Sequence, residues 1–294
     1  MSIPFLHEDR LAHGEVEETA PGVRRVLCNN PGPFTFRGTN TWIIGRGRVA
    51  VLDPGPEDAT HLAAILAALK GEEITHILVS HTHRDHSPGA RALQAATGAP
   101  TYGFGRHLTP PDQGGEGGDH GFTPDVTVPD GGVVEGEEWR LTALHTPGHC
   151  GNHLCFALDG KQGLLFSADM VMSWSTSVVS PPDGDMAAYM RSLDRLIARG
   201  AQDRLYLCGH GPALPKPGLF LAALRAHRVE REEKTLEALR AAGTAKAVDL
   251  VPPVYGPLDP RLVPAAGRSL LAHLIKLERE GAVARDGAEG WRVV

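Results

Sequence analysis

Residues 74 to 86 read ITHILVSHTHRDH, and this stretch decides the predicted architecture. Its first part, Ile74 to Val79, is apolar and rich in β-branched residues, which predicts a buried strand. Four side chains able to bind metals follow within six positions: His81, His83, Asp85 and His86. Side chains alternate faces on an extended chain, so the first two histidines can point the same way. Such a cluster at a strand end indicates a metal site rather than a loop that only forms hydrogen bonds.

The chain after these histidines is predicted to turn into a helix. Ser87 and Pro88 are typical of an N-cap followed by a first-turn proline, and the helix is expected to run to about Thr97. This turn would carry Asp85 and His86 to a second point close to the first histidine pair. The arrangement favours two metal ions side by side over a single ion.

The bulk composition is that of an ordinary globular chain, since 41% of its 294 residues are hydrophobic and 22% are charged. No run approaches the ~20 apolar residues that cross a bilayer, so we expect no membrane partner. The beginning, MSIPFLHEDRLAHGE, lacks the basic and apolar regions of a secretory signal. Cysteines 28, 150, 155 and 208 show no CxxC spacing, so we expect reduced thiols in a cytoplasmic protein.

Charge divides the chain into two parts. Residues 219 to 294 hold 12 Lys and Arg against 10 Asp and Glu, whereas the remainder holds 17 against 25. A mildly basic tail behind an acidic body predicts two modules, at residues 1–216 and 217–294. The overall net charge of −6 argues against a chain that coats nucleic acid.

Strands and helices are predicted to alternate in the body, which favours an α/β fold. Helices are expected over residues 57–69 and 185–199. Apolar runs predict the strands 22–27, 40–44, 49–52, 98–102, 139–145, 154–158, 163–167 and 204–208, in addition to 74–79. Asp159-Gly160 between two of these runs predicts a hairpin.

Two other regions have a distinct pattern. The loop 106–126 is rich in Gly, Pro and Asp and is long enough to be mobile or functional, for example as a lid. From residue 217 the pattern predicts three helices and, in AVARDGAEGWRVV, two short strands about a Gly-rich turn; the helices are 217–242, 244–251 and 264–280. Three helices with a terminal hairpin resemble a winged-helix module.

Three further metal-binding side chains each follow a predicted strand. They are His149 in HTPGHC, Asp169 in FSADM and His210 in CGHG. In an open α/β sheet, ligand sites form outside the carboxyl ends of the strands. We therefore expect these residues to meet the cluster at the end of the 74–79 strand.

The ordered set HTHRDH, TPGH, SADM and GHG resembles the metallo-β-lactamase superfamily over about residues 20 to 215. The resemblance implies an αββα sandwich, in which helices flank two packed sheets. It also implies a dinuclear site with His81, His83 and His149 on one zinc, Asp85, His86 and His210 on the other, and Asp169 bridging both.

The same resemblance implies the cofactor and its support. Asp53, in LDPG, matches an aspartate that supports the metal loop from behind. Relatives that bind two irons carry a glutamate where this chain has His83, and most zinc β-lactamases carry a cysteine where it has Asp169. Two Zn²⁺ per chain are therefore expected, with Mn²⁺ or Fe as alternatives for the same cage.

The implied reaction is hydrolysis by a hydroxide that bridges the two metals. Asp85 is expected to bind metal and orient this nucleophile. His153 lies four residues after His149 and is assigned a catalytic role, contacting substrate or giving a proton to the leaving group. The alternative for His153 is a histidine satisfied within the start of a strand.

The substrate is predicted from the loop NNPGPFTFRGTNTW, residues 29–42, and the winged-helix-like tail. Together they resemble the lactamase-β-2-like branch, with relatives such as glyoxalase II and RNase Z. This branch implies phosphodiester hydrolysis of single-stranded RNA. One alternative is a glyoxalase II-like hydrolase of a small thioester or ester, and another is a non-catalytic nucleic-acid-binding module.

The helix 264–280 separates these possibilities in part. Its apolar stripe is typical of a packing surface: Leu270, Leu271, Leu274, Ile275 and Leu277. Arg268, Lys276 and Arg279 make a sparse surface for reading DNA. We expect the tail to pack against the body or to form a homodimer.

Overall fold

The computed structural model describes residues 2–113 and 117–294. A first sheet holds seven strands in chain order, β1 to β7: Val16–Ala20, Val23–Leu27, Asn40–Ile44, Arg48–Leu52, Glu73–Leu78, Thr101–Gly103 and Val126–Thr127. Neighbours are antiparallel up to β4 and parallel from β4 to β7. Helices α1 (Ala59–Ala68) and α2 (Gly89–Thr97) connect the parallel strands β4, β5 and β6.

A second sheet of six strands has the order β13-β12-β11-β10-β9-β8. In chain order from β8 these strands are Val133–Glu135, Arg140–His145, Leu154–Leu158, Leu164–Ala168, Leu205–Cys208 and Leu214–Pro215. Helix α3 (Met186–Arg199) links β11 to the parallel β12. Helix α4 (Gly218–Ala242) follows β13.

The C-terminal module contains a small antiparallel sheet of order β14-β16-β15. Its strands are β14 (Ala245–Lys246), β15 (Val283–Asp286) and β16 (Gly290–Val293). Its helices are α5 (Val251–Tyr255) and α6 (Val263–Arg279).

Apolar packing produces the layers of an αββα sandwich. Trp42, Phe156 and Phe166 lie in a core between the two sheets, where Trp42 and Phe166 pack edge to face. A second core joins the first sheet to α1 and α2, and a third joins the second sheet to α3 and the start of α4. The predicted fold class is confirmed, including its winged-helix component.

Helix α4 belongs to two cores. Phe220 and Leu224 pack in the core of α3, whereas Leu239 packs in the core of the C-terminal module. The domain boundary at residue 217 stays a prediction, because this helix is continuous across both. No described helix is both long and apolar enough to cross a membrane.

Two local predictions were wrong. Ser87 does not cap α2; Pro88 occupies that position without a side-chain cap, and the Ser87 hydroxyl donates to Asp119 at 2.8 Å. The helix predicted at 244–251 is instead β14, a short 3₁₀ turn and the beginning of α5. Its first residues pair with Trp291 and Gly290, a long-range contact that overrides local helical preference.

Candidate metal centre

The predicted metal-binding side chains lie together at one edge of the sandwich. Each follows the carboxyl end of a strand, where the backbone leaves the sheet and side chains can converge. Strand β5 leads to the histidine cluster, β9 to His149, β11 to Asp169 and β12 to His210, while β4 leads to Asp53.

The first cluster consists of His81, His83 and His149. The Nδ1 atom of His83 lies 3.0 Å from Nε2 of His81 and 3.0 Å from Nε2 of His149. Three ring nitrogens thus face one point, and the group could hold a metal ion.

The second cluster consists of Asp85, His86 and His210. The Nε2 atoms of the two histidines are 3.3 Å apart, and Oδ2 of Asp85 lies 3.3 Å from that of His210 and 3.7 Å from that of His86. This group also could hold a metal ion. It differs from the first cluster by one carboxylate in place of an imidazole.

Asp169 lies between the two clusters. Its carboxylate oxygens lie 3.6 Å from His149 Nε2, 3.5 Å from His86 Nε2 and 3.4 Å from His210 Nε2. Its Oδ1 is buried without a hydrogen-bond partner among the described residues, although buried polar atoms are normally paired. Tetrahedral zinc with ligands at about 2.0–2.1 Å separates neighbouring ligand atoms by about 3.3 Å. The observed spacings fit such a cage.

Contacts behind the rings fix which nitrogen faces the centre. The Nδ1 atoms of His86, His149 and His210 donate to Asp53 Oδ2 at 3.0 Å, the Val178 carbonyl at 2.6 Å and the Gly38 carbonyl at 3.1 Å. These bonds place the hydrogen on Nδ1 and leave the Nε2 lone pair for a metal. Val178 and Gly38 act through backbone carbonyls, for which the sequence carries no signal.

Asp53 lies behind both clusters, and its predicted role in supporting the metal loop stays a prediction. Its Oδ1 accepts from the Ser80 amide at 2.7 Å, and Oδ2 accepts from the Ser80 hydroxyl at 2.6 Å in addition to His86. That hydroxyl in turn accepts from Nδ1 of His81 at 3.0 Å. Asp53 adopts φ 52°, an uncommon conformation for a non-glycine residue, so the turn after β4 holds it in a specific orientation.

The electrostatic states of the clusters differ. Burial lowers the pKa of His81 far below its usual range and that of His83 to about 3. Burial also lowers the pKa of His210, but the charge of Asp169 and the bond to Asp85 outweigh it and raise the pKa to about 9. His81 and His83 therefore present neutral imidazoles, whereas His210 in the second cluster attracts protons or cations.

His153 lies behind the cluster rather than at its surface. Its ring is fully buried, its Nδ1 donates to Thr146 at 2.9 Å, and its Nε2 accepts from the Asp169 amide at 3.3 Å. Its ring centroid is 5.0 Å from that of His81. His153 does not line the cavity described below, so these contacts fit a residue that positions Asp169.

A cavity of 620 Å³ opens over the two clusters. His83, Asp85, His149 and Asp169 form part of its floor. Its walls are mainly apolar and come from both modules: Phe34, Met172, Val178, Pro264 and Ala265. Arg84, Arg261 and Arg268 also line it, as does His107 of the 106–126 loop. Residues 114–116 of that loop lie outside the described residues, and a lid role for it stays a prediction.

Two family models match this chain. The metallo-beta-lactamase superfamily matches residues 34–210, more than half of the chain, and the beta-lactamase associated winged helix domain matches residues 247–291. The chain belongs to the metallo-beta-lactamase superfamily. As a member of this superfamily, the protein is a metal-dependent hydrolase. Its cluster of His and Asp side chains at the edge of the sandwich could hold the metal.

Similar superfamily members include a protein from Passalora fulva named atrochrysone carboxyl ACP thioesterase. It is 32% identical over 252 residues, which cover 82% of this chain and 70% of the relative. A beta-lactamase-like protein 2 homolog from Drosophila melanogaster is 31% identical over 280 residues, which cover 90% of this chain and 91% of the relative.

Solved superfamily structures share the fold. A beta-lactamase domain protein from Burkholderia ambifaria has a TM-score of 0.83 at 23% identity, covering 99% of this chain and 97% of that one. A metallo-beta-lactamase family protein from Thermus thermophilus has a TM-score of 0.78 at 23% identity, covering 94% and 100%. The likeness to the first extends over almost the whole chain, including the C-terminal module.

Proposed function

We propose that this superfamily member hydrolyses the thioester or ester of a small acyl group at a pair of zinc ions. The observation that carries the proposal is the cavity, whose floor contains residues of both clusters and whose walls are mainly apolar. Its 620 Å³ falls within the range of about 300–1,000 Å³ typical of small-molecule sites. Relatives named as thioesterases, 30–32% identical, support the same class.

The donor set supports zinc at both clusters. Five imidazoles and two carboxylates suit Zn²⁺, with Mn²⁺ or Fe as alternatives, and the spacings fit its ligand distances. We assign His81, His83 and His149 to one ion and Asp85, His86 and His210 to the other, with Asp169 shared. When bound, two such ions supply an activated water and polarise the carbonyl that is attacked.

The chain's own residues prepare this chemistry. Asp85 lines the cavity, with its side chain 29% exposed, so its carboxylate can orient a water beside the second cluster. Phe34, Met172 and Val178 can hold an acyl group and exclude bulk water. We propose that His153 positions Asp169 instead of contacting substrate.

RNA cleavage, expected from the sequence, has less support. Each cation of the α6 surface already has a partner in the chain: Arg268 donates to Ser180 and Pro181, Lys276 to Glu232 and Glu280, and Arg279 to Asp185. Affinity for nucleic acid depends on cations free to neutralise phosphates. The same contacts disfavour a nucleic-acid-binding module.

The test uses zinc-loaded protein with three substrates: an acyl-N-acetylcysteamine thioester, a 5′-labelled single-stranded RNA and a chromogenic cephalosporin. We expect thioester hydrolysis that Asp85→Ala abolishes and that Asp159→Ala, an exposed carboxylate paired with Arg140, leaves intact. RNA cleavage lost in Asp85→Ala, with no thioester turnover, would replace this proposal by a nuclease.

A further inference from the structure

The segment from Ser177 to Asp185 lies between the metal centre and the C-terminal helices. On its inner side the Val178 carbonyl accepts from Nδ1 of His149 at 2.6 Å. On its outer side three arginines hold it: Arg228 donates to the Ser177 carbonyl, Arg268 to Ser180 and the Pro181 carbonyl, and Arg279 to Asp185. The backbone that orients a first-cluster ligand is thus held by helices α4 and α6.

Arg228 is the most buried of these three arginines, with 3% of its surface exposed. Its guanidinium lies over the Tyr189 ring, 4.8 Å from the ring centroid, and its Nε has no hydrogen-bond partner among the described residues. Burial of a cation is costly unless other contacts compensate. Here a carbonyl and an aromatic face provide that compensation, and both belong to elements in contact with the metal centre.

Tyr189, which packs against Arg228, also contacts the residues next to Asp169 and His149. Its hydroxyl donates at 3.0 Å to the carbonyl of Met170, the residue after Asp169. Its backbone packs on Gly148, where a Cβ would lie 2.3 Å from Tyr189 Cα, and Gly148 precedes His149. Tyr189, whose ring lies under Arg228, thereby contacts the loop of His149 through its backbone and the loop of Asp169 through its hydroxyl.

We propose that Arg228 is a positioning residue of the metal centre. It fixes the Ser177 and Val178 backbone, which orients the His149 ring, and it holds Tyr189 against the loops of His149 and Asp169. Through it the C-terminal helices set the ligand geometry of the first cluster. The inference rests on the metal ligation proposed above.

Cobalt(II) is the probe, because its ligand-field bands report ligand geometry directly, without any substrate. In Arg228→Met we expect the Co²⁺ affinity of the first cluster to fall about tenfold, at the lower end of losses seen for residues behind metal ligands, and its bands to shift. The matched control is Arg225→Met on the same helix, whose partly exposed side chain pairs with Asp194; its affinity and bands should equal those of the wild type.

Arg228→Lys keeps the charge and shortens the donor, so its affinity should lie between wild type and Arg228→Met; it decides the question if the Met variant does not fold. The same changes on a His210→Ala chain assign the shift to the first cluster. Unchanged Co²⁺ bands and affinity, with only a lower Tm, would overturn the proposal. Wild-type protein that binds no Co²⁺ would instead overturn the metal ligation.

Discussion

The two proposed ligand clusters differ in the pKa of their histidines although Asp169 lies between them at one sheet edge. In the first, burial lowers the pKa of two imidazoles, far below its usual range for His81 and to about 3 for His83. The second surrounds Asp85 with His86 and His210, and the carboxylates raise the pKa of both histidines above the usual value despite burial. Histidines at the same sheet edge thus have pKa values shifted in opposite directions, lowered for His81 and His83 and raised for His86 and His210.

This difference shows how one site can assign separate tasks. His81 and His83 can bind an ion without losing protons, whereas His86 and His210 must exchange protons for their ion. The second cluster also places Asp85 at the cavity, where we propose that it orients a nucleophile. The comparison predicts that some substitutions weaken metal binding at one cluster and that others weaken it at both.

Asp169→Ala should have the largest effect, because it removes the group shared by both clusters. We expect fewer than two ions per chain and a fall in kcat/KM of about 10³-fold, equivalent to about 4 kcal/mol of transition-state stabilisation. Metal analysis with thioester kinetics measures both. Two ions at full affinity in this variant would show that the clusters do not share a ligand.

Gly209→Ala should damage the second cluster. A Cβ at this position would lie 2.3 Å from Asp169 Oδ1 and 2.9 Å from His86 Cε1, so the ligands must move. We expect loss of one ion and about 10²-fold lower kcat/KM. Gly218→Ala is the matched control, since a Cβ there meets nothing within 4 Å. Wild-type metal content in Gly209→Ala would contradict the close packing.

Asp53→Asn should weaken both clusters, and Ser80→Ala mainly the first. Asp53 bonds His86 directly and reaches His81 only through the Ser80 hydroxyl. Losses of about 10–100-fold in metal affinity are expected at the affected clusters. Isothermal titration on each variant compares the two sites. Equal losses of metal affinity at both clusters in Ser80→Ala would show that Ser80 does not act mainly on the first cluster.

His153→Gln should keep both ions and lower kcat by about tenfold, because the ring behind Asp169 no longer fixes its amide. Metal analysis and steady-state kinetics with the best substrate are the measurements. Unchanged kinetics would leave His153 as a histidine satisfied within the fold.

The smallest effect concerns the free energy of unfolding and its dependence on the protonation of His61, which lies behind Asp53. His61 bonds Thr41, whose hydroxyl donates to the Asp53 carbonyl, and burial lowers the pKa of His61 to about 4. The unfolded chain therefore binds a proton first as pH falls, so stability is complete above pH ~6.5 and decreases towards pH ~4. From about pH 7.5 to about pH 5 the loss is about 2 kcal/mol.

Urea unfolding of metal-free protein measures this slope, and His61→Gln should reduce it by that amount. An identical slope in the variant would place the acid sensitivity elsewhere in the chain.

The fold and the gathering of the ligands were accessible from the sequence because both depend on local patterns. Apolar runs such as Leu154–Leu158 became strands with the predicted bounds, and each predicted ligand lies after such a run. Long-range contacts were not accessible. Ala245 forms a strand because it meets Trp291, and Ser87 bonds Asp119 of a distant loop instead of capping its own helix.

Support behind the ligands was the least predictable part. Val178 acts through its backbone carbonyl, a group that every residue type has, so its side chain gives no indication of this role. Arg228 reads in the sequence as one charge among several on an amphipathic helix, yet it is almost fully buried. Only the packing of α4 on α3 distinguishes it from the exposed Arg225.

Helix α4 also has a consequence for any attempt to divide the chain. Its first half contributes Phe220 and Leu224 to the sandwich, and its second half contributes Leu239 to the C-terminal module. Division of the chain at residue 217 would remove α4 from the sandwich and expose the apolar side chains that this helix covers. The halves of this protein are therefore unsuited to modular exchange, and a chimera would have to inherit α4 together with both of its neighbours.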